Sequence, residues 1–267
     1  MGIEKKRGQS HPFGKEDDGM ILEICCASAD DVRIAAAAGA QRVELNSDLF
    51  HGGLTPTVGA LRVAKQETDI PVIAMVRPRE GGFCYTELEF RTALEDAKLL
   101  LENGADGLVF GFLHEDGTVD VERTRALTEL AKAASKEAVF HRAIDVVPDW
   151  RAALDVLIEL GIDRVLTSGQ EAEVSWGAAT IREMIAYAAG RIQILPGGGI
   201  KLRNVEKVVR EIGCDQVHMS AGRSCVDTSA MGNRAIHFGG CIYPPEDVYR
   251  MTDGDHVGAV AKVLKGM

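Results

Sequence analysis

No stretch of the chain approaches the roughly 18 consecutive apolar residues that a membrane-spanning helix needs, and the N-terminus lacks the charged-then-apolar order of a secretory signal. These absences exclude a helical membrane protein and lead to the expectation of a cytoplasmic one. Cys-x-x-Cys spacing is missing too. The six cysteines, Cys25, Cys26, Cys84, Cys214, Cys225 and Cys241, therefore read as free thiols of a reducing compartment, most of them packing residues. Positive charge is scarce: 30 Lys and Arg against 40 Asp and Glu give a net charge of −10, which argues against a nucleic-acid backbone or an anionic membrane as partner. A small molecule, a metal or another protein is left.

What is present is an alternation of short β-rich runs with helical patterns, the signature of βα units around a parallel sheet. After a charged, turn-rich segment 1–19 that reads as a disordered tail, eight candidate strands follow: Met20–Cys26, Arg42–Asn46, Pro71–Pro78, Gly107–Leu113, Ala138–Asp145, Arg164–Gly169, Ile192–Gly199 and Gln216–Ala221. An internal repeat sharpens the pattern. "GAQRVEL" at Gly39, "GADGLVF" at Gly104, "GIDRVLT" at Gly161 and "GCDQVHM" at Gly213 each join a helix to an even-numbered strand, with glycine suited to a left-handed cap and a polar residue two positions on. A joint recurring every second strand predicts a closed TIM (β/α)8 barrel, a single domain over 20–267, rather than an open sheet whose order reverses. The segment from Cys225 to Tyr243 does not read as helix, so the loop after the eighth strand is expected to be long, with a final helix after Asp255.

In such a barrel chemistry gathers where strands end. Here those ends are polar: Glu23, Glu44, Arg77, His141, Asp145, Thr167, Ser168, His218 and Ser220 stand where a barrel kept only for packing would place Val, Ile or Leu. Alternation refines this, since residues two apart share a face. Glu23 goes with Cys25 and Glu44 with Asn46, while Cys26 points the other way. If the carboxylates face inward, one thiol of the "LEICCAS" run faces the interior and the other packs against helices. Two carboxylates converging there must be relieved by protonation of one or by a cation such as Arg77.

Two further features allow two readings each. The glycines of "ILPGGGI", Gly197, Gly198 and Gly199, with Ser220 and Arg223 of "HMSAGRS" and a helix N-terminus after strand eight, match the phosphate site common at this face of barrels; they could equally just permit a tight turn. His141 in "FHRAID", with Asp145 nearby, suits a general acid or base, but a lone strand-end histidine also serves as a structural hydrogen-bonding group. Arg77 can grip a carboxylate or phosphate, or bridge Glu44 or Glu23.

The runs "LEICCAS", "GAQRVELNSDLFHGGLTPT", "VIAMVRPREGGFCY", "GADGLVFGFLHEDGTVD", "VFHRAIDVVPD", "GIDRVLTSGQ" and "ILPGGGI" closely resemble those of the copper homeostasis protein CutC family, from about Met20 to the C-terminus. The resemblance implies a TIM barrel and a cytoplasmic role in copper handling. It also implies Cu(I) as ligand, since animal members are thought to hold it with two cysteines, one at the end of each of the first two strands. Cys25 matches the first position. Asn46 stands at the second, and an amide is a poor ligand for soft Cu(I).

Three functions follow as expectations. One is copper binding or handling through Cys25. Another is an enzyme, compatible with a lyase or isomerase, acting on a small anionic or phosphorylated metabolite by acid–base chemistry of Glu23, Glu44, Arg77, His141, Asp145 and His218. The third is a catalytically idle scaffold. No organic cofactor is implied. Phe238, Ile242 and Tyr243 in the long eighth loop suggest a homo-oligomer, dimer or tetramer, or a lid over the chain's own barrel.

Overall fold

The computed structural model describes residues 19–240 and 243–267; the expected tail up to Asp18, with Cys241 and Ile242, lies outside the described residues. Eight parallel strands alternate with helices: β1 Ile21–Cys26, α1 Ala29–Ala37, β2 Arg42–Leu45, α2 Val58–Glu67, β3 Val72–Met75, α3 Glu87–Glu102, β4 Gly107–Phe110, α4 Val121–Ala133, β5 Glu137–Phe140, α5 Trp150–Leu160, β6 Arg164–Thr167, α6 Ala178–Ala188, β7 Gln193–Pro196, α7 Val205–Ile212 and β8 Gln216–Met219. Their order is β7-β6-β5-β4-β3-β2-β1-β8, all neighbours parallel. A parallel bridge between Gly197 and His218 joins the two outer strands, so the sheet is a nearly closed (β/α)8 barrel.

The repeated joints share one backbone geometry. Gly39, Gly104, Gly161 and Gly213 all have φ between +74° and +99°, the left-handed region that a side chain disfavours. At the first three joints the polar side chain two residues later turns back to the start of the preceding strand. Gln41 accepts the Leu22 N–H at 2.8 Å, Asp106 the Val72 N–H at 3.1 Å and Asp163 the Ala138 N–H at 2.8 Å. Each of these three joints thus satisfies a backbone donor that the ladder leaves open at the bottom rim. Helix starts are capped conventionally: Ser28 accepts from Asp31 N, and Thr86 with Glu89 forms a reciprocal capping box.

Several expected strand ends are corrected. The fifth strand stops at Phe140 rather than Asp145, and Arg142–Val146 forms a 3-10 turn that carries Asp145 away from the strand. Strand eight is followed not by a helix but by an antiparallel ribbon, β9 Gly222–Val226 with β10 Val248–Thr252, before α8 Gly254–Lys265. In this excursion Phe238 is 82% exposed and Tyr243 is also exposed, so neither ring packs down on the barrel.

The barrel interior is unequal. On one side Ile73, Met75, Val109 and Val139 form a small apolar cluster. Elsewhere its lower layers are polar: Arg42 donates to Glu23 and, at 2.9 Å, to Gln216; Gln216 donates to Gln193 at 3.3 Å; and Arg164, 1% exposed, donates to Gln193 at 3.2 Å and to Glu137 at 2.5 Å. These side chains fill the floor beneath the mouth. Cys26, by contrast, is fully buried in the outer core with Val32 and Ala35 of α1, which fixes its neighbour Cys25 on the inner face.

Candidate functional site

Above that floor opens a cavity of about 480 Å3, lined among others by Cys25, Glu44, Met75, His141, Arg142 and His218. Arg77, Gly198, Gly199 and Ser220 also line it, whereas Glu23 is buried beneath. Asp145, Gly197 and Arg223 are not on the cavity wall.

The β1, β2 and β8 side brings together one thiol, one carboxylate and one imidazole. Ligand atoms of Cys25, Glu44 and His218 all lie within 4.8 Å of one another. Beneath them Glu23 receives His218 Nδ1 at 2.7 Å on one oxygen and the Arg42 guanidinium on the other. The histidine is thereby oriented through Nδ1, leaving Nε2 as the nitrogen that can act towards the cavity. Asn46 is fixed in the same cluster: its Nδ2 donates to Glu44 Oε1 at 2.9 Å and lies 3.4 Å from Cys25 Sγ.

Charge in this cluster is sorted by neighbours. Burial alone would raise Glu23, but Arg42 and His218 outweigh it and hold the carboxyl well below the ordinary range. Burial would lower His218, but Glu44, Cys25 and Glu23 hold it well above its ordinary value. Burial raises Glu44, only partly offset by His218, and burial together with Glu44 pushes the Cys25 thiol up to about 11. The paired carboxylates are thus relieved by Arg42 and His218. Arg77, the cation expected there, instead donates to the carbonyls of His51, Gly53 and Gly81 at 2.8–3.1 Å and clamps two loops together.

His141 and Asp145 do not meet as an acid–base pair. Asp145 is saturated by Arg142 Nε at 2.8 Å, Thr167 Oγ1 at 2.6 Å, the Ser168 and Gln170 N–H groups, and Ser168 Oγ. It is a hub that ties β6 to the preceding turn. His141 accepts the Ala143 N–H on Nδ1 at 3.1 Å, and burial together with the positive charge of Arg77 lowers it to about 3. A group whose folded pKa is depressed contributes stability that is present above the unfolded value, 6.5, and is lost as the pH falls towards about 3. His141→Gln is therefore expected to flatten the acid limb of a urea-denaturation series between pH 6.5 and 4, where this residue costs the parent up to about 1.4 kcal/mol per pH unit. Parallel curves for the two proteins would show that His141 does not titrate this way.

Arg223, expected beside an anion site, lies on β9, exposed and paired in register with Met251. Gly197 serves packing: a Cβ there would stand 2.7 Å from Leu166. Sequence reasoning missed Arg42, Gln216 and Arg164, although Arg42 stands two before Glu44 and Gln216 two before His218, the spacing that puts them on one face. It also passed over Arg142 and Lys201, which immediately follow His141 and Ile200 and line the cavity.

The family model of the CutC family matches residues 20–223. The chain belongs to the CutC family. A CutC-family protein of Treponema denticola is 52% identical over 243 residues, covering 91% of this chain and 98% of its own length. The human copper homeostasis protein cutC homolog is 37% identical over 266 residues, covering 99% and 96%. A crystal structure of CutC from Streptococcus agalactiae superposes with a TM-score of 0.69 at 34% identity, covering 75% of this CutC-family chain and 98% of its own. The residues matched by the family model run from the first strand through the eighth.

Proposed function

We propose that this copper-homeostasis-family protein takes Cu(I) as cargo at the top of its barrel, between Cys25 Sγ and His218 Nε2. The observation that carries this reading is the approach of Cys25, Glu44 and His218 within 4.8 Å of one another in a wall of the cavity. A thiolate and an imidazole are donors that soft Cu(I) accepts, while the Glu44 oxygen suits it poorly and balances charge instead. Glu23 on Nδ1 is the outer carboxylate that commonly orients a ligating histidine. The proton on Cys25 Sγ and the one on His218 Nε2 must both leave for copper to enter.

The Asn46 amide sits beside Cys25 where a second thiol would complete a two-sulfur site. Competition against a chromophoric Cu(I) chelator under anaerobic conditions tests the assignment. Cys25→Ser is expected to weaken Cu(I) by about two orders of magnitude, and Asn46→Cys to tighten it by about tenfold or more. A parent protein that holds Cu(I) just as tightly after Cys25→Ser would place the ion elsewhere. Zn(II) that binds more tightly than Cu(I) would replace copper with zinc as cargo of the same cluster.

A further inference from the structure

The β5 to β7 side of the cavity gathers hydrogen-bond donors. His141 is 4% exposed, and its Nδ1 accepts the Ala143 N–H. A neutral imidazole that accepts on Nδ1 carries its proton on Nε2. That Nε2 has no partner among the described residues, although the ring lines the cavity. Buried polar groups are nearly always paired, so an orphan donor on a ring that lines a cavity points to a ligand.

The same wall offers more donors. The turn after β7 has positive φ at Gly198 and Gly199, and the N–H groups of Gly199 and Ile200 find no acceptor among the described residues. Arg142 packs against this turn: a Cβ on Gly198 would lie 3.5 Å from its Cζ and Nη1. Its Nε and Nη2 are held by Asp145 and Ser168 at 2.8 and 2.6 Å, which fixes the guanidinium and leaves Nη1. Lys201 adds an ammonium group to the same cavity.

We propose that this wall binds the phosphate group of a small phosphate monoester, with the Gly199 and Ile200 amides, Arg142 and Lys201 on the anionic oxygens and His141 Nε2–H on an adjacent oxygen of the ligand. Backbone amides in a glycine turn and a fixed guanidinium are donors suited to phosphate. Their number matches three terminal oxygens better than the two of a carboxylate. A cavity of about 480 Å3 holds a small metabolite whose far end reaches Cys25, Glu44 and His218. The proposal is independent of copper, since none of the anion-binding groups is a copper ligand.

The test is calorimetric titration of the metal-free full chain with glycerol 3-phosphate, inorganic phosphate and glycerate. Saturable binding of glycerol 3-phosphate is expected, with glycerate at least about tenfold weaker. Lys201→Ala and His141→Gln should each weaken glycerol 3-phosphate by about tenfold, while Lys207→Ala, on the exposed face of α7, should not. An unchanged Tm of ligand-free Lys201→Ala shows that the variant is folded. The proposal is overturned by absence of saturable binding of glycerol 3-phosphate, by glycerate binding equally well, by inorganic phosphate binding alone, or by Lys201→Ala binding like the parent.

Discussion

Glu23→Ala is expected to lower folding stability by about 3–5 kcal/mol, the cost of breaking a buried ion pair by removing one partner. Glu23 is 2% exposed and neutralises two groups at once, the Arg42 guanidinium and the His218 ring. Without it Arg42 keeps, among the described residues, only Gln216 as a side-chain acceptor. Urea denaturation at pH 7 measures the loss, and the double variant Glu23→Leu with Arg42→Met should recover much of it, because removing both charges leaves neither unpaired. The loss should also shrink in acid. Glu23 is held below its ordinary value of 4.5, so its contribution is present above that pH and fades as the pH falls. The same variant frees His218 Nδ1 and is expected to weaken Cu(I) by about 10–100-fold, the usual effect of losing an outer-shell partner. A stability change under about 1 kcal/mol at pH 7 would mean that water replaces the carboxylate and that the cluster is not sealed.

Gly177→Ala is expected to cost about 3 kcal/mol or more, at the upper end of overpacking effects. A Cβ there would lie 1.9 Å from the Ser168 carbonyl oxygen and 2.9 Å from Gly169 Cα, so the obstacle is backbone, which cannot rotate away as a side chain can. The segment it would push is the one that holds Asp145 through the Ser168 N–H and Arg142 through Ser168 Oγ. Stability and phosphate binding should therefore fall together. Gly232→Ala, with nothing within 4 Å of the added carbon, should stay within about 0.5 kcal/mol of the parent. A well-folded Gly177→Ala with unaltered glycerol 3-phosphate binding would show that the loop after β6 yields without moving Arg142.

The barrel was legible because its joints repeat: a left-handed glycine stands at Gly39, Gly104, Gly161 and Gly213, and a returning polar side chain follows the first three. The pairing of Glu23 with Cys25 and of Glu44 with Asn46 on one face followed from the period of a strand alone. What pattern could not reach was choice of partner. Arg77 and Arg42 both stand near strand ends, and only three-dimensional distance shows that one clamps carbonyls while the other neutralises Glu23. His141 and Asp145 are four residues apart, yet the intervening 3-10 turn separates their roles. Arg223 follows strand eight directly, but the ribbon has no helix N-terminus to offer an anion.

The packed floor of the barrel sets a traffic rule. Arg164, Arg42, Gln193, Gln216 and Glu137 tie together beneath the mouth, so among the described residues the axis is filled below the site. A ligand of the cavity, Cu(I) on the proposed reading, would enter and leave through the same doorway, between the loops that follow the strands. On the proposed reading, a protein that delivered Cu(I) to this site and one that collected it would contend for one berth and would have to take turns. Kinetically that would be an alternating exchange, in which excess of either party slows the other.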